Sequence, residues 1–168
     1  MSEERIAKLE QSLLTLRKRV EAVSRGQRAT HTDLIYAVLA SVLAGVVAAL
    51  TASTWRHAED TDTDRTYVDT LWGMAAQGWQ GALTLLLLAA LVFGTLAVFL
   101  TDEPHRRAHL GFVVVALLAA LGVLLVGGVE ADGIVEAEDY DTAPARWLAL
   151  VGTLALAAVH GARASTLK

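Results

Sequence analysis

Cysteine is absent from the 168 residues, which removes disulfides, thiolate metal sites, thiol nucleophiles and cysteine lipidation together. Proline occurs only twice, and charged residues make up 19% of the chain, below the quarter or so of an ordinary soluble domain. Hydrophobic residues reach 54%, with only 6% aromatic, so the excess apolar content is aliphatic. A soluble fold has no place to put it. Charge is also missing from particular places: no acid or base interrupts four long apolar runs, at 34–54, 79–100, 108–129 and 147–162.

A helix rises about 1.5 Å per residue and needs about 20 residues to cross roughly 30 Å of hydrocarbon. The first three runs have that length. The fourth covers only about 24 Å at the same rise, so a tilt or local thinning is expected to absorb the difference, with Arg146 and Arg163 snorkelling at its ends. Backbone amides in hydrocarbon must be satisfied within the segment, so the runs should be helices. The fold class expected is an all-α integral membrane protein, a bundle of four spans preceded by a short cytoplasmic coiled-coil helix over 1–29. Acidic outer loops are expected at 55–78 and 130–146.

The first 33 residues are polar and charged, unlike a secretory signal, so the first span reads as an anchor. Basic residues set the orientation. Arg5, Lys8, Arg17, Lys18, Arg19, Arg25, Arg28, Arg106, Arg107, Arg163 and Lys168 fall on one side, against Arg56, Arg65 and Arg146 on the other. Both termini should then be cytoplasmic, in a cell membrane. Trp55, Trp72, Trp79 and Trp147 all fall at the opposite ends of spans, where indole rings prefer the headgroup level. The formal charge of -4 is the sum of a basic inner face and a strongly acidic outer one.

Ile6, Leu9, Leu13, Leu16, Val20 and Val23 are spaced 3, 4, 3, 4, 3, an a/d heptad seam with charges on the other faces. An isolated helix of this length is marginal in water, so the seam needs a surface to cover. A parallel homo-oligomeric coiled coil fits the narrow stripe. Packing on the protein's own surface, on another membrane protein or on the bilayer interface are the alternatives. Arg17, Lys18 and Arg19 can touch anionic lipid, whereas Glu3, Glu4, Glu10 and Glu21 dilute the field, and no nucleic-acid partner is expected. Gly26 offers a break, and Thr30 with Asp33 reads as the cap of a fresh helix.

Span association in lipid relies on close packing by small residues. In the first span Ala37, Ser41, Gly45, Ala49 and Ser53 form one row, beside Ala40, Ala44, Ala48 and Ala52. The rows suit bundle packing, and Ser41, Gly45 and Ala49 also suit an intermolecular contact. Ala149, Thr153, Ala157 and Gly161 repeat the pattern in the fourth span. Hydroxyls at Ser41, Thr84, Thr95 and Thr153 are scattered and can bond back to their own helices. The run of uncharged spans disfavours ion-coupled transport, and the two prolines fall outside the spans.

Candidate chemistry is thin. Asp60, Asp62 and Asp64 alternate as DxDxD, and Glu136, Glu138, Asp139 and Asp141 crowd the second outer loop, which makes them weak candidates for a divalent cation. An EF-hand is excluded, since Arg65 and Leu71 stand where its glycine and terminal acid belong. Residues 64–77 look helical. His105 and His109, four apart, suggest a metal pair only if helical, and His160 reads as an interfacial histidine. No catalytic residue, resident metal or cofactor is expected. The function that fits is a non-enzymatic oligomeric scaffold or accessory subunit of the membrane, with a pore or holin-like permeability protein and an outer divalent-cation sensor as alternatives.

Overall fold

The computed structural model describes residues 2–60, 65–100, 105–126 and 140–167, with side chains placed for 16–20, 31–58, 66–99, 105–126 and 140–167. The elements in order are α1 (Ser2–Thr51), β1 (Thr54–Asp60), β2 (Arg65–Thr70), α2 (Leu71–Gln77), α3 (Trp79–Leu100), α4 (Arg106–Leu125), β3 (Asp141–Thr142) and α5 (Pro144–Thr166). The chain forms two compact units, Met1–Tyr36 and Ala37–Lys168. Four helical stretches are long and apolar enough to cross a membrane: His31–Thr51, Trp79–Phe99, Arg106–Leu125 and Pro144–Thr166.

The first unit is helical from Ser2 onward, and α1 is continuous through Gly26 and Thr30. The expected break and fresh cap are therefore absent. One interior glycine costs a helix only about 1 kcal/mol, too little to stop it, and Thr30 takes an ordinary interior position. In this unit Leu16 and Val20 are 57% and 64% exposed.

In the second unit the first span ends earlier than its composition suggested. The amides of Ala52 and Ser53 turn back to the carbonyls of Ala49 and Leu50, and Thr54 already belongs to β1. Span four is longer than expected instead. Pro144 occupies the first turn of α5, where its missing N–H costs nothing, and the helix runs 23 residues to Thr166, about 34 Å. No thinning is needed. Arg146 and Arg163 lie within this helix rather than flanking it.

Glycines set the distances between helices. A Cβ on Gly94 would run into the Phe112 ring, one on Gly122 would sit 2.7 Å from Thr84 Oγ1, and one on Gly152 would sit 2.9 Å from Val47 Cγ2. These positions bring α3 to α4 and α5 to α1. The buried faces carry Leu88 and Leu91 of α3, Ala116 and Val123 of α4, and Ala149 and Leu156 of α5. Outward-facing Leu86, Phe93, Val114, Leu117, Leu121 and Val151 are exposed, as an apolar surface meeting lipid requires.

A small antiparallel sheet, ordered β2-β1-β3, replaces the helix expected over the first part of 64–77. The ladder slips by one residue between Thr54 and Arg56, and this irregularity lets consecutive residues Trp55 and Arg56 both point inward. Helix α2 then follows, with Thr70 capping it by accepting from the Gly73 amide at 3.2 Å. Its Leu71 and Met74 are buried, and α3 approaches so closely that a Cβ on Gly81 would strike the Met74 carbonyl.

Candidate functional site

Two buried polar clusters lie in the second unit. The first joins three spans. His109 sits in the first turn of α4, His160 late in α5 and Thr95 late in α3, which places all three at the same end of these helices. His160 Nε2 is 2.9 Å from Thr95 Oγ1, and His160 Nδ1 is 2.9 Å from His109 Nδ1. Aromatic rings close the site. Phe112 stacks on His160 at 5.2 Å between centroids, and Phe99 meets His109 edge-on at 5.3 Å. The two histidines are 1% and 0% exposed.

Hydrogen positions follow from the pairing rules, since a neutral imidazole has one donor and one acceptor nitrogen. If His109 Nδ1–H donates to His160, then His160 carries its hydrogen on Nε2 and donates to Thr95. If the order is reversed, Thr95 donates to Nε2 and His160 Nδ1–H donates to His109. Either way one chain of hydrogen bonds crosses from α3 through α5 to α4. Arg163, one turn beyond His160 and buried, acts electrostatically on His109.

The second cluster lies outside the spans. Arg56, 2% exposed, donates from Nε and Nη2 to Asp69 Oδ2 at 3.0 and 2.8 Å and from Nη2 to Gln77 Oε1 at 3.1 Å. Its guanidinium lies 4.4 Å from the centre of the Tyr140 ring. Burial, and then the Asp69 charge, push the Tyr140 phenol above its ordinary value despite Arg56. Nearby, Arg146 donates to the carbonyls of Val123 and Leu124 at 3.0 and 2.7 Å and so closes the end of α4. Trp55 donates to the Leu50 carbonyl at 2.7 Å and Trp72 to Thr51 Oγ1 at 3.2 Å, tying the hairpin and α2 to the end of α1.

Several expectations are corrected by these positions. His160 is an interior residue, not an interfacial one, because Thr95 and His109 satisfy both ring nitrogens. His105 precedes α4 and is exposed while His109 is buried, so the two do not form a pair on one face. Trp72, Trp79 and Trp147 are exposed as interfacial indoles would be, but Trp55 is buried. Arg56 is buried as well, and so is Arg163, which was expected to snorkel at the end of the fourth span.

Of the acidic candidates only Asp60 and Asp141 fall on described residues. Asp60 ends β1, Asp141 is exposed in β3, and Asp62, Asp64, Glu136, Glu138 and Asp139 lie outside the described residues. Among the described residues no three His, Asp or Glu side chains cluster as a metal site would require. Of the heptad seam, Leu16 and Val20 are exposed, while the side chains of Ile6, Leu9, Leu13 and Val23 lie outside the described set. In the first span the buried row is Ala40, Ala44 and Val47, which leaves Ser41, Gly45 and Ala49 exposed. Thr84 and Thr153 donate back to the carbonyls of Gln80 and Ala149, as their spacing allowed.

The histidine pair was missed because its partners are 51 residues apart in the chain. A signal did exist. Ala149, Thr153, Leu156, His160 and Arg163 recur at helical spacing along the buried side of α5, so the apolar stripe carried His160 inward. Comparison with protein-family models, curated proteins and solved structures finds no match to the chain.

Proposed function

We propose that the protein is a non-enzymatic multi-pass protein of the cell membrane that forms homo-oligomers and serves as a scaffold or accessory subunit. Both termini face the cytoplasm in this reading, on the strength of the basic residues that flank the inner ends of the spans. The observation that carries the oligomer is the unused small-residue face of α1. The protomer packs that span through Ala40, Ala44 and Val47, while Ser41, Gly45 and Ala49 remain exposed and a Cβ on Gly45 would meet nothing within 4 Å. Small residues exposed to lipid permit close approach of a second helix. The exposed Leu16 and Val20 of the heptad seam support the same reading from the other unit.

A scaffold is favoured over a pore because the buried hydroxyls of Thr84 and Thr153 are turned to their own helices and Thr95 is held by His160. The test is the mass of the purified full chain in mild detergent. Gly45→Leu and the triple change Leu9→Lys, Leu13→Lys, Leu16→Lys should each lower it toward the protomer mass, and an unchanged mass in both would remove the proposal. Because the chain lacks cysteine, Asp141→Cys and Ser165→Cys make single-site reporters of orientation. A membrane-impermeant thiol reagent applied to whole cells should label the first and spare the second.

A further inference from the structure

We propose that the facing imidazoles of His109 and His160 form a buried proton-binding site of capacity one, in which a first proton leaves the α4–α5 contact in place and a second breaks it. The site is separate from the oligomer face proposed above and does not depend on it.

Geometry sets the capacity. The two Nδ1 atoms are 2.9 Å apart, a distance that requires one hydrogen between them. In the first of the two hydrogen arrangements His109 donates from Nδ1 and its Nε2 holds a lone pair. A proton arriving there makes His109 an imidazolium whose Nδ1–H still donates to His160. In the reversed arrangement Thr95 donates to His160 Nε2, and the proton enters at that nitrogen while Thr95 turns to accept. His160 is then the imidazolium, and its Nδ1–H still donates to His109. Both routes keep every contact and replace a neutral hydrogen bond by a charge-assisted one, which is the stronger kind.

A second proton has no such place. With both rings charged, each Nδ1 carries a hydrogen, and two N–H groups point at one another across a gap that holds only one. Thr95 cannot relieve the conflict, because it lies on the far nitrogen of His160. The described surroundings supply apolar rings, a hydroxyl and a further positive charge. On α3 the pair meets Thr95 and Phe99, on α4 Phe112, and on α5 Arg163, already a positive charge. His105, just before α4, and Arg106 and Arg107 in its first turn are exposed. No carboxylate joins the two rings among the described residues. The α4 and α5 ends must part for the second proton to enter.

The test is nitrogen NMR of the unsubstituted full chain, labelled at histidine and held in lipid nanodiscs, from about pH 8 to about pH 4, on either side of the ordinary histidine value of about 6.5. Coupling across the hydrogen bond between the two Nδ1 atoms is the readout. One proton per protomer should enter the pair with the coupling retained. The second should enter in a separate step more than about one pH unit away, with the coupling lost, or not enter at all. Both rings charging at a common midpoint, no proton entering, or coupling that survives two protons would each overturn the proposal.

Discussion

The two buried polar clusters sit about 24 Å apart along α5, counting from Pro144 to His160 at the helical rise, and solve the same problem with different chemistry. Beyond the span ends, Arg56 is held by a carboxylate, an amide oxygen and an aromatic face. Within the spans, His109, His160 and Thr95 satisfy one another with neutral groups alone. The difference follows from the surroundings. An ion pair needs some water or dense hydrogen bonding to offset its desolvation, and the half-exposed loops supply both, whereas imidazoles and hydroxyls can enter hydrocarbon uncharged.

Breaking the ionic cluster should therefore cost most. Asp69→Leu removes the carboxylate that pairs the Arg56 guanidinium, whose side chain is 3% exposed, and leaves that charge buried. Losing one partner of a buried pair typically costs about 3 to 5 kcal/mol, so reversible denaturant unfolding in mixed micelles should show a fall of that order. A fall below about 1 kcal/mol would mean that Arg56 is better hydrated than its burial implies.

The contrast between the clusters also explains what could be read from the sequence. The four spans were legible because run length and missing charge are local properties, and the exposed Trp72, Trp79 and Trp147 follow from the same local preference. The sheet was hidden. Strand β1 reads TWRHAED, charged and without clean alternation, and its partners lie across two separate loops, at 65–70 and 141–142. The positions of Trp55 and Arg56 depend on the irregular register at Thr54, which no propensity announces. His160 was visible as a histidine near a span end, but its burial depended on the extra turn of α5 beyond Ala162 and on Thr95 reaching it from α3.

Close packing gives the next largest effect. Gly81 brings α3 against α2, and the atom that a Cβ would strike is the backbone carbonyl of Met74, which cannot rotate away. Overpacking typically costs about 1 to 3 kcal/mol, so Gly81→Ala should destabilise by that amount in the same unfolding measurement. Gly45→Ala, with open space around it in the interior of α1, should hold the stability of the protomer or raise it, by up to about 1 kcal/mol of helix propensity. Equal effects at the two glycines would break the assignment of α2 as a tightly docked element.

In the neutral cluster the same logic predicts a smaller loss. Thr95→Val keeps the shape and leaves the buried His160 Nε2 without its neutral partner, so about 1 to 3 kcal/mol should be lost, less than for Asp69→Leu. A loss as large as that of Asp69→Leu would show that the histidine pair already carries charge at neutral pH and would erase the distinction between the two ends.

Alkaline pH separates the clusters with the mildest perturbation. The Tyr140 phenol is shifted upward by burial first and by the Asp69 charge second, so the folded state holds it neutral while the unfolded chain ionises near the ordinary value of about 10. A group whose folded value is raised contributes its full stability below the unfolded value and loses it as the pH climbs through the folded one. The protein should thus be insensitive to this group at neutral pH and lose stability progressively above about pH 10, the ordinary tyrosine value. Tyr140→Phe keeps a ring beneath Arg56 and removes the titration, so its unfolding midpoint should fall less than the parent's between about pH 9 and about pH 11, on either side of that value. Parallel curves would mean that Tyr140 ionises without disturbing Arg56, and that the ring adds little to what Asp69 and Gln77 hold.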